Sequence, residues 1–201
     1  MKKFICLILV LVITFSFSAC SGGKQQAFTS AQTTYNSLIS AYEKIDVIGS
    51  EIYEAWRIAI YDTPSLENLD KKLELTNDEL VAAALSLGAY SDYPNSVFYI
   101  FGDTNKFSIA ITVVKEAYEL KGTYDEIETL LNSAKSEMKT MSEKYSDYEH
   151  YENLKNMYSI VDSYADFCEN PSGSFEQLKT TINDYRNDIR DLESDLAFIF
   201  E

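Results

Sequence analysis

Apolar and small side chains recur through most of the chain at alternating steps of three and four, the spacing that aligns one face of an α-helix. The first such run holds Tyr35, Leu38, Tyr42, Ile45, Gly49, Ile52, Trp56 and Ala59, and Thr29 with Gln32 has the form of a capping box in front of it. Together they predict a long first helix with one buried seam, ending near Tyr61. Asp62, Thr63 and Pro64 fit the start of a second helix, because the missing N–H of proline costs nothing at the first helical position. Two more starts share the capping-box form, Thr76 with Glu79 and Thr123 with Glu126. Thr29, Thr76 and Thr123 are equally spaced, but the similarity ends after a few residues, so common capping chemistry explains them better than a repeat.

The second half of the chain continues the pattern. Leu131, Ala134, Met138, Met141, Tyr145 and Tyr148 form one heptad stripe; Tyr151, Leu154, Tyr158, Val161, Ala165 and Cys168 form another, displaced by one position. Such a displacement predicts a break near Asp147 to His150. Pro171-Ser172-Gly173 reads as a tight turn and Ser174 with Gln177 as a cap. Heptads at Phe175, Leu178, Ile182, Tyr185, Ile189, Leu192, Leu196 and Ile199 then run to the end. The last two helices are expected to form an antiparallel hairpin. Residues 97–114 admit two readings. Val97–Phe101 and Phe107–Val114 flank Gly102-Asp103-Thr104-Asn105 and could form a small β-hairpin, whereas Phe107, Ala110, Ile111, Val114 and Tyr118 share one helical face. Helix is the favoured reading, closed by Gly122. The fold class predicted is all-α, an elongated antiparallel bundle of about six helices.

Ahead of these helices stands a different pattern. Lys2 and Lys3 precede the nearly continuous apolar run Phe4–Phe17, followed by the small residues Ser18 and Ala19, the three-part layout of a secretory signal. The run is shorter than the ~20 apolar residues a spanning helix needs. Phe17-Ser18-Ala19-Cys20, followed by Ser21, Gly22 and Gly23, resembles the lipobox of bacterial lipoproteins processed by signal peptidase II, with Phe17 where that family usually carries an aliphatic residue. The resemblance covers this leader alone. It implies that residues 1–19 are removed, and that Cys20 becomes the first mature residue and carries a diacylglyceryl group, with the new amino terminus often acylated in that family. Two or three acyl chains make a stable anchor where one holds only marginally. Residues 20–28, small and polar apart from Phe28, read as a flexible lipidated tether, and 29–201 as the helical domain.

Composition narrows what that domain does. Removing residues 1–19 takes away Lys2 and Lys3 and no acid, leaving 15 basic residues against 32 acidic ones, a net charge of −17. So negative a surface repels nucleic acid and anionic headgroups, which excludes nucleic acid as a partner and assigns membrane attachment to the lipid. With Cys6 lost and Cys20 occupied, Cys168 is the single remaining thiol, leaving no intramolecular disulfide, and a buried place is favoured for it. Asp147 and His150, three apart, suggest a metal pair, but a di-iron bundle needs two such pairs and this chain has one histidine. Zinc lacks ligands for the same reason. Gly102–Phe107 begins like a calcium loop, but Phe107 and Ser108 stand where a further oxygen ligand and the turn glycine belong. There is no phosphate loop and no nucleophile elbow, and no cofactor is expected.

Tyrosine is abundant, at 15 residues. Several lie on the predicted seams and suit core packing with the hydroxyl at the edge. Tyr90, Tyr93, Tyr99 and Tyr124 lie off the seams or in loops and are the candidates for a partner surface. The expectation is a non-enzymatic envelope lipoprotein that binds or scaffolds another envelope protein. The rival is a small-molecule or peptide receptor with a pocket between helices near Trp56.

Overall fold

The computed structural model describes residues 22–62, 65–88 and 106–200. Among them the chain forms seven helices joined by turns and no strand. These are α1 (Gly22–Tyr61), α2 (Leu66–Asp70), α3 (Asn77–Ser86), α4 (Lys106–Leu120), α5 (Thr123–Lys144), α6 (Tyr151–Glu169) and α7 (Phe175–Phe200). The helix expected to start at Asp62–Pro64 is a single turn, α2, and the one expected at Thr76 is α3. The N-cap of α2 is Ser65, whose side chain accepts the Asn68 N–H; Thr63 and Pro64 lie outside the described residues.

At 40 residues, α1 is about 60 Å long. It is the axis of the bundle and packs against α2, α4, α5, α6 and α7. Lys44 pairs with Glu126 and Gln26 accepts from the Tyr145 hydroxyl, so α5 runs antiparallel to α1. Tyr53 stacks on Phe175 and Tyr35 lies against Phe200, so α7 does the same. α6 returns alongside, forming the antiparallel hairpin with α7 that the heptads predict. No helix among the described residues is long and apolar enough to cross a membrane.

The central position of α1 corrects its predicted single seam. Besides the seam, Ala27, Ala31, Thr34, Ala41, Ile48, Ala55 and Ile58 are buried, while Tyr42 and Trp56 are only partly so. Small residues between the seam positions let five neighbours approach α1 closely. Thr34 enters the core because its hydroxyl donates to the Ser30 carbonyl one turn back.

The tether is also corrected over its described part, because α1 begins at Gly22. Ala27 is buried and the Phe28 ring lies 5.7 Å from that of Phe200. Tertiary cover from α7 stabilises a stretch whose local signal is weak. The Thr29–Gln32 box is absent accordingly. Thr29 donates to the Gln25 carbonyl, and the Gln32 amide donates to the Phe200 carbonyl at 3.0 Å.

Two of the other caps form. Thr76 and Glu79 make a reciprocal box at α3, and Ser174 and Gln177 make the same exchange at α7. Thr123 does not cap, because Gly122 takes the N-cap position of α5 with φ +72, a conformation open to glycine at little cost. The β-hairpin reading fails over 106–114, where the chain is α4. Ile109, Ala110, Val113, Val114 and Ala117 are all buried, a helical double row. Residues 97–105 lie outside the described residues. The break between α5 and α6 falls at 145–150, as the displaced stripes predict.

Candidate functional site: an aromatic cluster at one end of the bundle

Four aromatic side chains meet where α7 begins. The Phe175 ring stacks on Tyr53, with centroids 5.0 Å apart and planes 15° apart. Trp56 approaches the same ring at 6.5 Å, and Tyr61 meets it edge-on at 6.3 Å. Positions 53, 56 and 61 fall on one side of the last turns of α1. The Ser174–Gln177 box starts α7 at the level where Phe175 reaches that side. Tyr61 is 68% exposed, beside exposed Ile60, while Tyr53, Trp56 and Phe175 are partly buried. Arg57, held to Glu54 by two hydrogen bonds, supplies a charged edge, and the pairing keeps the Glu54 carboxyl below its usual range. Rigid aromatic area at a surface is suited to contact with a protein, because it can be covered at small entropy cost.

A polar clasp lies further along α1. Asp46 accepts from Arg186 of α7 and from the Tyr164 hydroxyl of α6 at 3.1 Å, and Arg186 also donates to Ser50. Gly49 makes room for the Tyr164 hydroxyl, since a Cβ there would sit 2.3 Å from it. Cys168 is buried one turn on, near the Ile45 carbonyl, and burial pushes its thiol pKa up. The clasp joins three helices, and burial keeps the Cys168 thiol in its protonated, unreactive form.

Tyr124 does not belong to an exposed surface. It is partly buried, its hydroxyl is fully covered without a hydrogen-bond partner, and burial raises its pKa. Its ring borders an open groove of about 570 Å³ between α4, α5 and α6, lined by Glu116, Glu119, Asp125, Glu128, Glu169 and Lys115. Burial and neighbouring carboxylates, Asp166 first, raise the Glu169 pKa. The groove has a negative potential that repels anions. Among the described residues no three metal-binding groups converge.

His150 lies at the N-cap of α6, its ring near Tyr148 and Phe200 and its Nε2 3.2 Å from Glu149. Asp147 is in the preceding turn, so the two do not share a helical face. Cys20, Tyr90, Tyr93 and Tyr99 lie outside the described residues. Trp56 borders the aromatic cluster, and the sequence signal for that cluster was present in part. Phe175 and Trp56 are heptad positions, but Tyr53 and Tyr61 fall off the seam and become neighbours only once α7 folds back on α1. Neither the known protein families, nor the curated proteins, nor the solved structures contain a match to this chain.

Proposed function

We propose that the chain is a lipid-anchored envelope protein without a catalytic role, a scaffold that holds another envelope protein through the aromatic cluster around Phe175. The continuity of α1 carries this reading. The helix starts two residues after Cys20 and ends at Tyr61, so a lipid on Cys20 and the cluster lie at opposite ends of a ~60 Å rod. An α1 standing upright on the membrane would hold the cluster at its far end. Exposed aromatic area supports a protein partner, and the net charge of −15, or −17 once residues 1–19 are removed, speaks against nucleic acid or an anionic membrane surface.

Two measurements test the proposal. Metabolic labelling with a radioactive fatty acid is expected to mark the wild-type chain and not Cys20→Ala. A photo-crosslinking residue at position 61 is expected to give one defined adduct in cells, and the same residue at exposed position 139 on α5 is expected to give none. Equal adducts at both positions, or none at 61, overturn the partner surface while leaving the anchor to the labelling result.

A further inference from the structure

Glu51 is the one carboxylate among the described residues whose side chain is shut inside the core. It lies in the middle of α1 and is 4% exposed. Its Oε1 accepts the Glu74 N–H at 2.5 Å, which ties the segment between α2 and α3 to α1. Its Oε2 has no hydrogen-bond partner.

The surroundings supply no counter-charge that belongs to Glu51 alone. From the 71–76 segment, Glu74 brings a like charge; from α4, the buried Tyr118 faces the site; from the α4–α5 turn comes Lys121. That ammonium is held 2.9 Å from Glu79, whose carboxyl also closes the capping box of α3. An ionised Glu51 thus leaves one carboxylate oxygen without a hydrogen-bond partner in a buried site, which is costly, whereas the neutral acid is tolerated more easily. Leu69, Leu73 and Leu75, all buried, hold the segment down by apolar contact.

We infer that Glu51 makes the 71–76 segment a proton-controlled clasp on α1, seated when the carboxyl is neutral and released more often when it loses its proton. Burial, opposed by the Glu74 and Leu75 N–H groups and by Lys121 and aided by the Glu74 charge, places the Glu51 pKa at about 7, up from the ordinary 4.5. A carboxyl raised in the closed state stabilises closure fully below about 4.5, and that contribution is lost as the pH rises through about 7. An open segment returns Glu51 to water and its ordinary pKa, so opening becomes at least about tenfold more frequent between pH 5 and 8. The inference is independent of the anchor and of the aromatic surface.

Hydrogen exchange of the full chain in detergent micelles, corrected for intrinsic exchange chemistry, reads the opening equilibrium. Protection at residues 73–75 is expected to fall at least about tenfold from pH 5 to pH 8 while protection at 157–165 in α6 holds. In E51Q the neutral amide is expected to keep 73–75 at their protected, pH-independent level. An equal fall in E51Q, or no fall in the wild type, overturns the clasp. Should E51Q not fold, the wild-type carboxyl carbon shift of Glu51 decides. A midpoint near 7 that coincides with the loss of protection supports the inference, and a midpoint near 4.5 overturns it.

Discussion

Replacing Gly49 with alanine sets two effects of opposite sign against each other. In an exposed helix interior the change normally stabilises by about 1 kcal/mol, because alanine loses less backbone freedom on folding. At Gly49 the new Cβ falls 2.3 Å from the Tyr164 hydroxyl and 3.0 Å from its Cζ. The ring has no easy escape: Tyr164 is fully buried and stacks on Tyr185 with centroids 4.9 Å apart. Overpacking of this kind costs about 1–3 kcal/mol. Displacing the hydroxyl also weakens its bond to the Asp46 carboxylate, a charged-acceptor bond that contributes about 1.5 kcal/mol or more. The expected net destabilisation is about 2 kcal/mol, measured by urea unfolding followed by circular dichroism at 222 nm. Tyr164→Phe removes the clashing oxygen, so in that background Gly49→Ala is expected to cost less than about 1 kcal/mol, a coupling that a double-mutant cycle isolates. A Gly49→Ala chain as stable as the wild type, or equally destabilised in both backgrounds, refutes the tight seat for Tyr164.

Thr76→Ala is expected to cost about 1 kcal/mol, and Thr123→Ala less than about 0.5, since only Thr76 caps its helix; thermal melts of the two variants check this. Phe200→Ala removes a ring that covers Phe28 and Tyr35, with an expected loss of about 2–3 kcal/mol. Hydrogen exchange is then expected to quicken first in residues 22–35. The Glu79 carboxyl is held low by Lys121 and the Thr76 N–H, and Glu54 by Arg57. A depressed carboxyl stabilises above its unfolded pKa and loses that contribution as the pH falls, so the urea midpoint is expected to drop between pH 5 and pH 3. Glu79→Gln is expected to flatten that drop.

What could be read from the sequence followed the amphipathic stripes. α5, α6 and α7 each show one apolar face to the bundle, so Leu131, Val161 or Ile189 announces its burial by period alone. α1 does not, because a helix covered on many sides needs small residues between its large ones, and Ala31, Ala41 and Ala55 carry little hydrophobic signal. Thr34 and Glu51 look like surface residues and are buried, since their partners are a carbonyl one turn back and a distant N–H. The threonine starts looked alike in sequence. They differ in the structure because Gly122 takes the cap from Thr123 and because packing by α7 extends α1 past Thr29. At the candidate site, Phe175 and Trp56 were legible as apolar positions, but the meeting of Tyr53, Tyr61 and Phe175 depends on a return of the chain that no local pattern encodes.

The axial place of α1 also bears on when the protein can fold. α1 is covered by α2, α4, α5, α6 and α7, all of which follow it in the chain, and its first turns are closed by Gln32 with Phe200, 168 residues further on. Until α7 is made and folds back, Ala31, Tyr35 and Leu38 lack their final cover, so the full structure waits on contacts of very long sequence separation. Such topology delays folding. For a chain proposed to be exported across a membrane, that delay keeps the polypeptide threadable, and it leaves a C-terminally truncated product without a closed core.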